Sequence, residues 1–476
     1  MTERVPKIAF VAVALFGALV LAYFAYRNPG YFTNQSALVN VLLLEFLAVA
    51  IWLYRRVFFP IIIVTFLLAG VDLPVGSVWT AARWGVLAVG AAVGALIMLK
   101  ERRSHFGLFH ALAFFAVLSA CVSAAVSRYT SLSFLKVLSL LLLFIYASTG
   151  ARLAVVDREN RFFSGLLLGC EIFVALIGGF YLLGIEAMGN PNSLGAVMGV
   201  VACPVLLWGI LLNPSPTIYR RRMVLYAIAM YLTFASHGRA GMLACLASCG
   251  LLCLSLRRYR LLLSGIGIIL ILLAAGAIVR PEAFSRMASS FTSNIVFKSA
   301  DPSHGLFFSR KSPWQDAVST IQDHFWFGTG FGTSDNGQDA TEDTGKFSSS
   351  TSVTSEHGSS YLAITTWVGI AGVLPFFLLL CLLLRDILRT VVWMFRSLNP
   401  SHAAVPLAMV VLAGMIHAVF EDWLFAPGYY LCVFFWAVAF IFIDQVRLLP
   451  AVSPRSIPLW RAQAIPQDLG RAVSSR

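Results

Sequence analysis

Apolar stretches, most of them long enough to cross a bilayer, alternate along this chain with short loops, and Arg and Lys crowd into every second loop. The apolar runs fall near 8–26, 37–54, 57–71, 80–99, 106–125, 131–149, 163–183, 193–212, 223–236, 240–256, 261–279, 360–384, 403–419 and 429–446, the third and ninth being short. A transmembrane helix takes about 17 to 25 apolar residues. The pattern therefore predicts an all-α polytopic membrane protein with about 12–14 transmembrane helices. Hydrophobic residues make up 59% of the chain and charged residues 12%, which leaves too little polar surface for a water-soluble protein of 476 residues.

The basic clusters are Arg4/Lys7, Arg55/Arg56, Lys100/Arg102/Arg103, Arg152/Arg158/Arg161, Arg220/Arg221/Arg222, Arg257/Arg258/Arg260, Arg385/Arg389/Arg396 and the tail from Arg447. Each falls on the same side when the runs are threaded alternately through a membrane, so the positive-inside rule predicts that both termini are cytoplasmic. The net charge of +13 is accordingly read as a topology signal, and nucleic-acid binding is set aside. The resulting division is an N-terminal transmembrane bundle over 1–279, one long outer loop over 280–359, C-terminal transmembrane helices over 360–446 and a cytoplasmic tail over 447–476. The first apolar run is too long for a cleaved signal and no small-residue cleavage site follows it, so it counts as a span.

All eight cysteines lie in or beside apolar runs, which argues against a disulfide framework. Cys245, Cys249 and Cys253 share one helix face, but buried thiolates are costly in lipid and no His shares their span. They read as small packing residues. Carboxylates inside the runs are scarce, Glu45 and Glu171 being the clearest, fewer than coupled transporters generally place at mid-membrane.

A loop as long as 280–359 implies function. Within it, Ser312-Pro313-Trp314-Gln315 predicts a helix start with Ser312 as N-cap, and Trp314, Ala317, Val318, Ile321 and Phe325 form an apolar stripe suited to the membrane surface. Gly328-Thr329-Gly330-Phe331-Gly332 reads as a turn, because it lacks the strand-to-helix context of a dinucleotide fingerprint. Ser348-Ser349-Ser350-Thr351-Ser352 reads as a mobile polar tract.

Arg239 stands in the outer turn Ser236-His237-Gly238-Arg239-Ala240-Gly241, between runs of about 14 and 17 residues that rise roughly 21 and 25 Å against a hydrocarbon core near 30 Å. The turn should lie somewhat below the surface, where an arginine needs an anionic partner or a wet cavity. It is either a phosphate ligand or a snorkelling lipid anchor. Arg310, two residues before the expected N-cap, combines a cation with free backbone N–H donors suited to phosphate, or is an ordinary solvated loop arginine. Arg286 is a weaker candidate of the same kind. His357 has an intrinsic pKa suited to a general base at neutral pH. His417 and Glu421-Asp422 stand at the outer end of another span and could line the same cavity. Asn192 is an expected N-cap for the span from Ser193, with substrate contact possible but not needed.

Several segments, in this order, resemble the O-antigen ligase and O-antigen polymerase superfamily of bacterial lipid-linked glycan transferases. They are Gly189-Asn190-Pro191-Asn192, Gly238-Arg239-Ala240-Gly241, Arg286, Ser309-Arg310 with Trp314 and Ala317, the Gly328 to Gly332 turn, and His357 with Tyr361-Leu362 and Gly369-Ile370-Ala371-Gly372. The chain departs from the pattern in having Gly238 where the family often has Ser before the arginine, and Gly358 where it often has Asn or Ser after the histidine. The resemblance implies a GT-C-like helical fold in the bacterial cytoplasmic (inner) membrane, with short helices in its periplasmic loop. It implies an inverting, metal-independent transfer of a glycan from undecaprenyl pyrophosphate to a hydroxyl on the lipid A core. Arg239 and Arg310 would then bind pyrophosphate, with Arg286 and Asn192 as further substrate-binding residues, and His357 would be the base. No cofactor is implied. The alternatives are an O-antigen or exopolysaccharide repeat-unit polymerase acting on a growing polysaccharide and, in another class, a lipid-linked glycan flippase or solute transporter.

Overall fold

The computed structural model describes residues 58–69, 76–101, 106–185, 188, 191–279, 282, 285, 289, 308–333 and 357–450. All regular structure among them is helical. The helices are α1 (Phe58–Ala69), α2 (Gly76–Glu101), α3 (Leu108–Val126), α4 (Thr130–Tyr146), α5 (Glu159–Leu182), α6 (Pro191–Val197), α7 (Cys203–Leu211) and α8 (Pro216–Ala235). They continue with α9 (Arg239–Ser255), α10 (Tyr259–Val279), α11 (Phe308–Asp323), α12 (Ser360–Ser397), α13 (Ala404–His417) and α14 (Tyr430–Arg447). A π-helical turn over Met198–Ala202 joins α6 to α7 as one continuous segment. The expected spans near 8–26 and 37–54 lie outside the described residues.

Six of these segments are long and apolar enough to cross a membrane: Leu108–Val126, Thr130–Ala151, Glu159–Leu182, Asn192–Leu211, Ser360–Ser397 and Tyr430–Arg447. The chain is an all-α polytopic membrane protein. Asn192–Leu211 and α14 are enclosed by their neighbours, whereas α5 turns Leu168, Ile172 and Leu176 outward. An apolar face of that size is stable only against lipid or another apolar surface. Glu171, on the same helix, is buried between Arg221 at 2.5 Å and Arg222 at 2.8 Å. It is a paired structural carboxylate, and Glu45 lies outside the described residues.

Several boundaries differ from expectation. The run expected near 223–236 is a 20-residue helix, because Pro216 opens α8 about two turns earlier and carries Arg220 to Arg222 inside it. Its rise is about 30 Å, so of the two helices that flank the Arg239 turn only the 17-residue α9 is short against the membrane core. In the loop, the helix starts at Phe308 rather than at an N-cap Ser312, and Pro313 lies inside it. Ser312 instead hydrogen-bonds the Asp316 carboxylate at 3.3 Å.

The helix from Ser360 runs to Ser397, well past 384, and it is broken at Gly369 (φ 66°, ψ −179°). That conformation is almost confined to glycine. The backbone groups freed by the break are taken up by the Gly328 to Gly332 turn. Thr329 and Gly330 N–H donate to the carbonyls of Thr366 and Trp367, each at 3.1 Å, while Ile370 and Ala371 N–H donate to Phe325 and Trp326 at 2.9 and 3.2 Å. Serines on α3 and at its C-cap close the seam: Ser119 donates to Gly372 at 2.9 Å, Ser123 to Trp367 at 2.5 Å and the capping Ser127 to Thr329 at 2.9 Å. Ser133 and Lys136 of α4 hold the carbonyls of Phe331 and Gly332. A buried backbone must find partners somewhere. Here the loop supplies them, so the end of the loop is welded to the bundle.

Candidate functional site

One end of the bundle gathers segments that are far apart in sequence. The turn from α8 into α9 is set by Ser236, whose hydroxyl donates to Thr233 O at 2.7 Å and accepts the Gly238 N–H at 3.2 Å. His237 takes a left-handed conformation (φ 55°) to reverse the chain. α9 then begins at Arg239, which is half-buried. The start of α6 crosses this turn on glycines. A Cβ on Gly241 would come within 2.5 Å of Gly195 O, and one on Gly199 within 2.3 Å of Gly241 O, so only hydrogen fits between the backbones. The crossing brings Asn192 beside Gly238, with its Oδ1 3.8 Å from where a Gly238 Cβ would stand. Tyr429 and Tyr430 clamp Ser193, the next residue, at 3.2 and 3.3 Å.

Arg310, in the first turn of α11, forms an ion pair with Glu421 at 2.5 Å, the two side chains being 15% and 23% exposed. It packs on Gly358 (φ 63°), where an added Cβ would meet Arg310 Cδ at 3.3 Å and Pro313 Cβ at 3.4 Å. Trp314 Nε1 donates to Gly358 O at 3.2 Å, and its ring stacks on Phe420 at 6.5 Å between centroids. Gly358 therefore lets Arg310 lie directly against the residue that follows His357.

His357 is buried, with 5% of its surface exposed. Its backbone N–H donates to Asp422 Oδ2 at 3.2 Å, and its ring Nδ1 stands 3.8 Å from the same oxygen, with no hydrogen-bond partner among the described residues. Trp367 packs edge-on against the imidazole at 5.7 Å. Ser360 ties this segment to the 418–424 loop, accepting Leu424 N–H at 3.0 Å and donating its hydroxyl to Glu421 O at 2.6 Å. His417 serves structure: it accepts the Trp423 indole N–H at 2.7 Å. Arg83 of α2 reaches the same loop, donating to Gly428 O at 2.7 Å.

Arg239 is close enough to Arg310 to feel its charge. The structure thus pairs Arg310 with Glu421 and His357 with Asp422, places Arg239 within electrostatic reach of Arg310 and sets Asn192 beside the Arg239 turn. Arg286 lies outside the described residues, as do Ser348 to Ser352. The sequence reading pointed to Glu421-Asp422 only as possible cavity lining and did not anticipate their pairings with Arg310 and His357. It also missed the role of Ser119, Ser123 and Ser127, although their spacing of four residues, one helix face, was a readable signal.

At this end of the apolar bundle Arg310 lies against Gly358, next to the His357 imidazole, and Arg239 is near enough to feel the Arg310 charge. Residues 223–377 match the model of the O-antigen ligase family, and this match supports membership of the O-antigen ligase superfamily. The matched stretch contains Arg239, Arg310 and His357 and ends before Glu421 and Asp422. Comparison with curated proteins finds no match. The family match supports an O-antigen ligase-like role in membrane glycan transfer.

Proposed function

We propose that the protein transfers a glycan from undecaprenyl pyrophosphate to an acceptor hydroxyl at the periplasmic face of the bacterial inner membrane, the acceptor being the lipid A core. The observation that carries this reading is the packing of Arg310 against Gly358, next to His357, with Arg239 in range of its charge. In this reading both termini are cytoplasmic, and the 280–359 loop belongs to the catalytic face between the N-terminal bundle (1–279) and the C-terminal helices (360–446).

The acceptor oxygen attacks the anomeric carbon opposite the pyrophosphate, inverting that centre. The bond from carbon to the pyrophosphate oxygen breaks, and its electron pair leaves with undecaprenyl pyrophosphate. Arg239 and Arg310 stabilise the charge that develops there, and arginine suits this role because it stays charged near lipid and presents a planar fork to phosphate. His357 takes the acceptor proton. The Asp422 carboxylate stands 3.8 Å from the ring Nδ1 and accepts the His357 backbone N–H. Glu421 fixes the head of Arg310, and Asn192 and Arg286 are assigned to the substrate. These steps call for no metal.

The test is the purified protein in lipid, given undecaprenyl-pyrophosphate glycan and lipid A core acceptor with EDTA present. Formation of the new glycosidic bond is expected. Movement of the lipid-linked glycan across the bilayer without that bond would instead identify a flippase, and extension only of the glycan itself would identify a polymerase. In the same assay His357→Ala is expected to lower the rate at neutral pH by about a hundredfold, in the usual range for loss of a general base, with donor binding little changed. A near-normal rate would exclude His357 as the base.

A further inference from the structure

The other end of the bundle holds a second cationic site. α12 continues beyond its break, so that Arg385 lies roughly 37 Å of helical rise past Ser360, at the headgroup level of the opposite leaflet. There the start of α3, the second half of α12 and the end of α14 line a cleft of about 130 Å³, open to the surface, with Arg385, Arg389 and Arg447 around it and Phe109, Leu382 and Ile443 among its apolar walls.

The charges that the described residues place in this cleft do not cancel. Asp386 is buried and engaged by Arg385, Nη2 to Oδ1 at 2.9 Å. The neighbouring Arg152 is consumed by a two-pronged pairing with Asp444, at 2.5 and 3.0 Å, and by Ser148 O at 3.1 Å. Arg389 and Arg447 have no ion-pair or side-chain hydrogen-bond partner among the described residues. Among the described residues two guanidinium groups therefore stand uncompensated over an apolar wall, with Arg447 lying against Gly107 at the start of α3.

We infer that this cleft binds the phosphodiester headgroup of an anionic phospholipid from the leaflet opposite the Arg239 and Arg310 cluster. Arg389 and Arg447 hold the phosphate oxygens, while Phe109, Leu382 and Ile443 receive the ester and upper acyl region. A free inorganic phosphate would gain the charges but leave that apolar surface uncovered, and a zwitterionic headgroup would bring its own cation against the arginines. The inference does not depend on the glycan-transfer reading, since no residue is shared.

The test is equilibrium binding of fluorescent phosphatidylglycerol to the full-length protein in neutral detergent, with phosphatidylcholine and inorganic phosphate as competitors. Phosphatidylglycerol is expected to bind saturably and at least tenfold more tightly than phosphatidylcholine. The double variant Arg389→Gln with Arg447→Gln should weaken it at least tenfold, and the corresponding double Lys variant should retain most of the affinity. Equal binding by the Gln variant and the native protein would overturn the site. Displacement by equimolar inorganic phosphate would overturn the lipid as its occupant. Should the double variant fail to fold, the exposed single change Arg389→Gln is expected to cost at least threefold, and no change would overturn the proposal.

Discussion

Arg310→Ala is expected to lower the rate of glycan transfer at least tenfold while the protein still inserts and purifies as the native chain does. Two cations about 4 Å from a departing diphosphate, at an effective dielectric near 20, each offer around 4 kcal/mol before desolvation, so a net loss of only about 1.4 kcal/mol per arginine already gives tenfold. Arg239→Ala is expected to act alike. The ion pair with Glu421 complicates the first variant, because truncating Arg310 strands a carboxylate that is only 23% exposed. Glu421→Gln separates the effects: it leaves the cation in place, and transfer should fall less than in Arg310→Ala. Arg310→Lys should recover part of the rate, since it restores charge without the planar fork. The measurement is initial rate in reconstituted membranes, with kcat and KM resolved. Undiminished turnover in both alanine variants would remove the proposed site.

Gly369→Val is expected to have the largest effect on stability. A β-branched residue in that backbone conformation costs on the order of 1–3 kcal/mol by itself. Its Cβ would also stand 2.4 Å from both the carbonyl carbon and oxygen of Trp326 and 2.6 Å from Gly328 N, all backbone atoms that cannot turn aside. The turn must then lift off α12, leaving Thr366 and Trp367 carbonyls and the Ile370 and Ala371 amides without their partners. Thermal unfolding in detergent should shift down, and protease should gain access to the Phe325 to Thr333 segment. Gly165→Ala is the control, because a Cβ there meets nothing within 4 Å. Equal melting temperatures for Gly369→Val and the native chain would mean that the turn is not docked as described.

The fold was largely legible in the primary structure. Apolar runs at 106–125, 240–256, 261–279 and 429–446 lie within two residues of α3, α9, α10 and α14, because in lipid the length of an apolar run is itself the signal for a helix. The start of α8 was not so legible, since charged residues ended the apolar run while the backbone continued through Arg220 to Arg222 from Pro216. The start of α11 misled for the opposite reason. Ser312-Pro313 is a good local helix start, but the turn before it is held on the bundle by Arg310 with Glu421, so tertiary contact overrode the local preference. The candidate residues were legible singly, by type: an arginine in a short outer turn, an arginine in the loop, a histidine where the loop returns.

Order along the chain alone determined that this is a helical membrane protein with a cationic loop end, since hydropathy and charge act residue by residue and need no partner. It could not decide which charges meet. That Arg310 faces Glu421, that Asp422 attends His357 and that a glycine turn fills the break at Gly369 are matters of convergence in space, set by glycine contacts and by backbone groups that must be satisfied away from water.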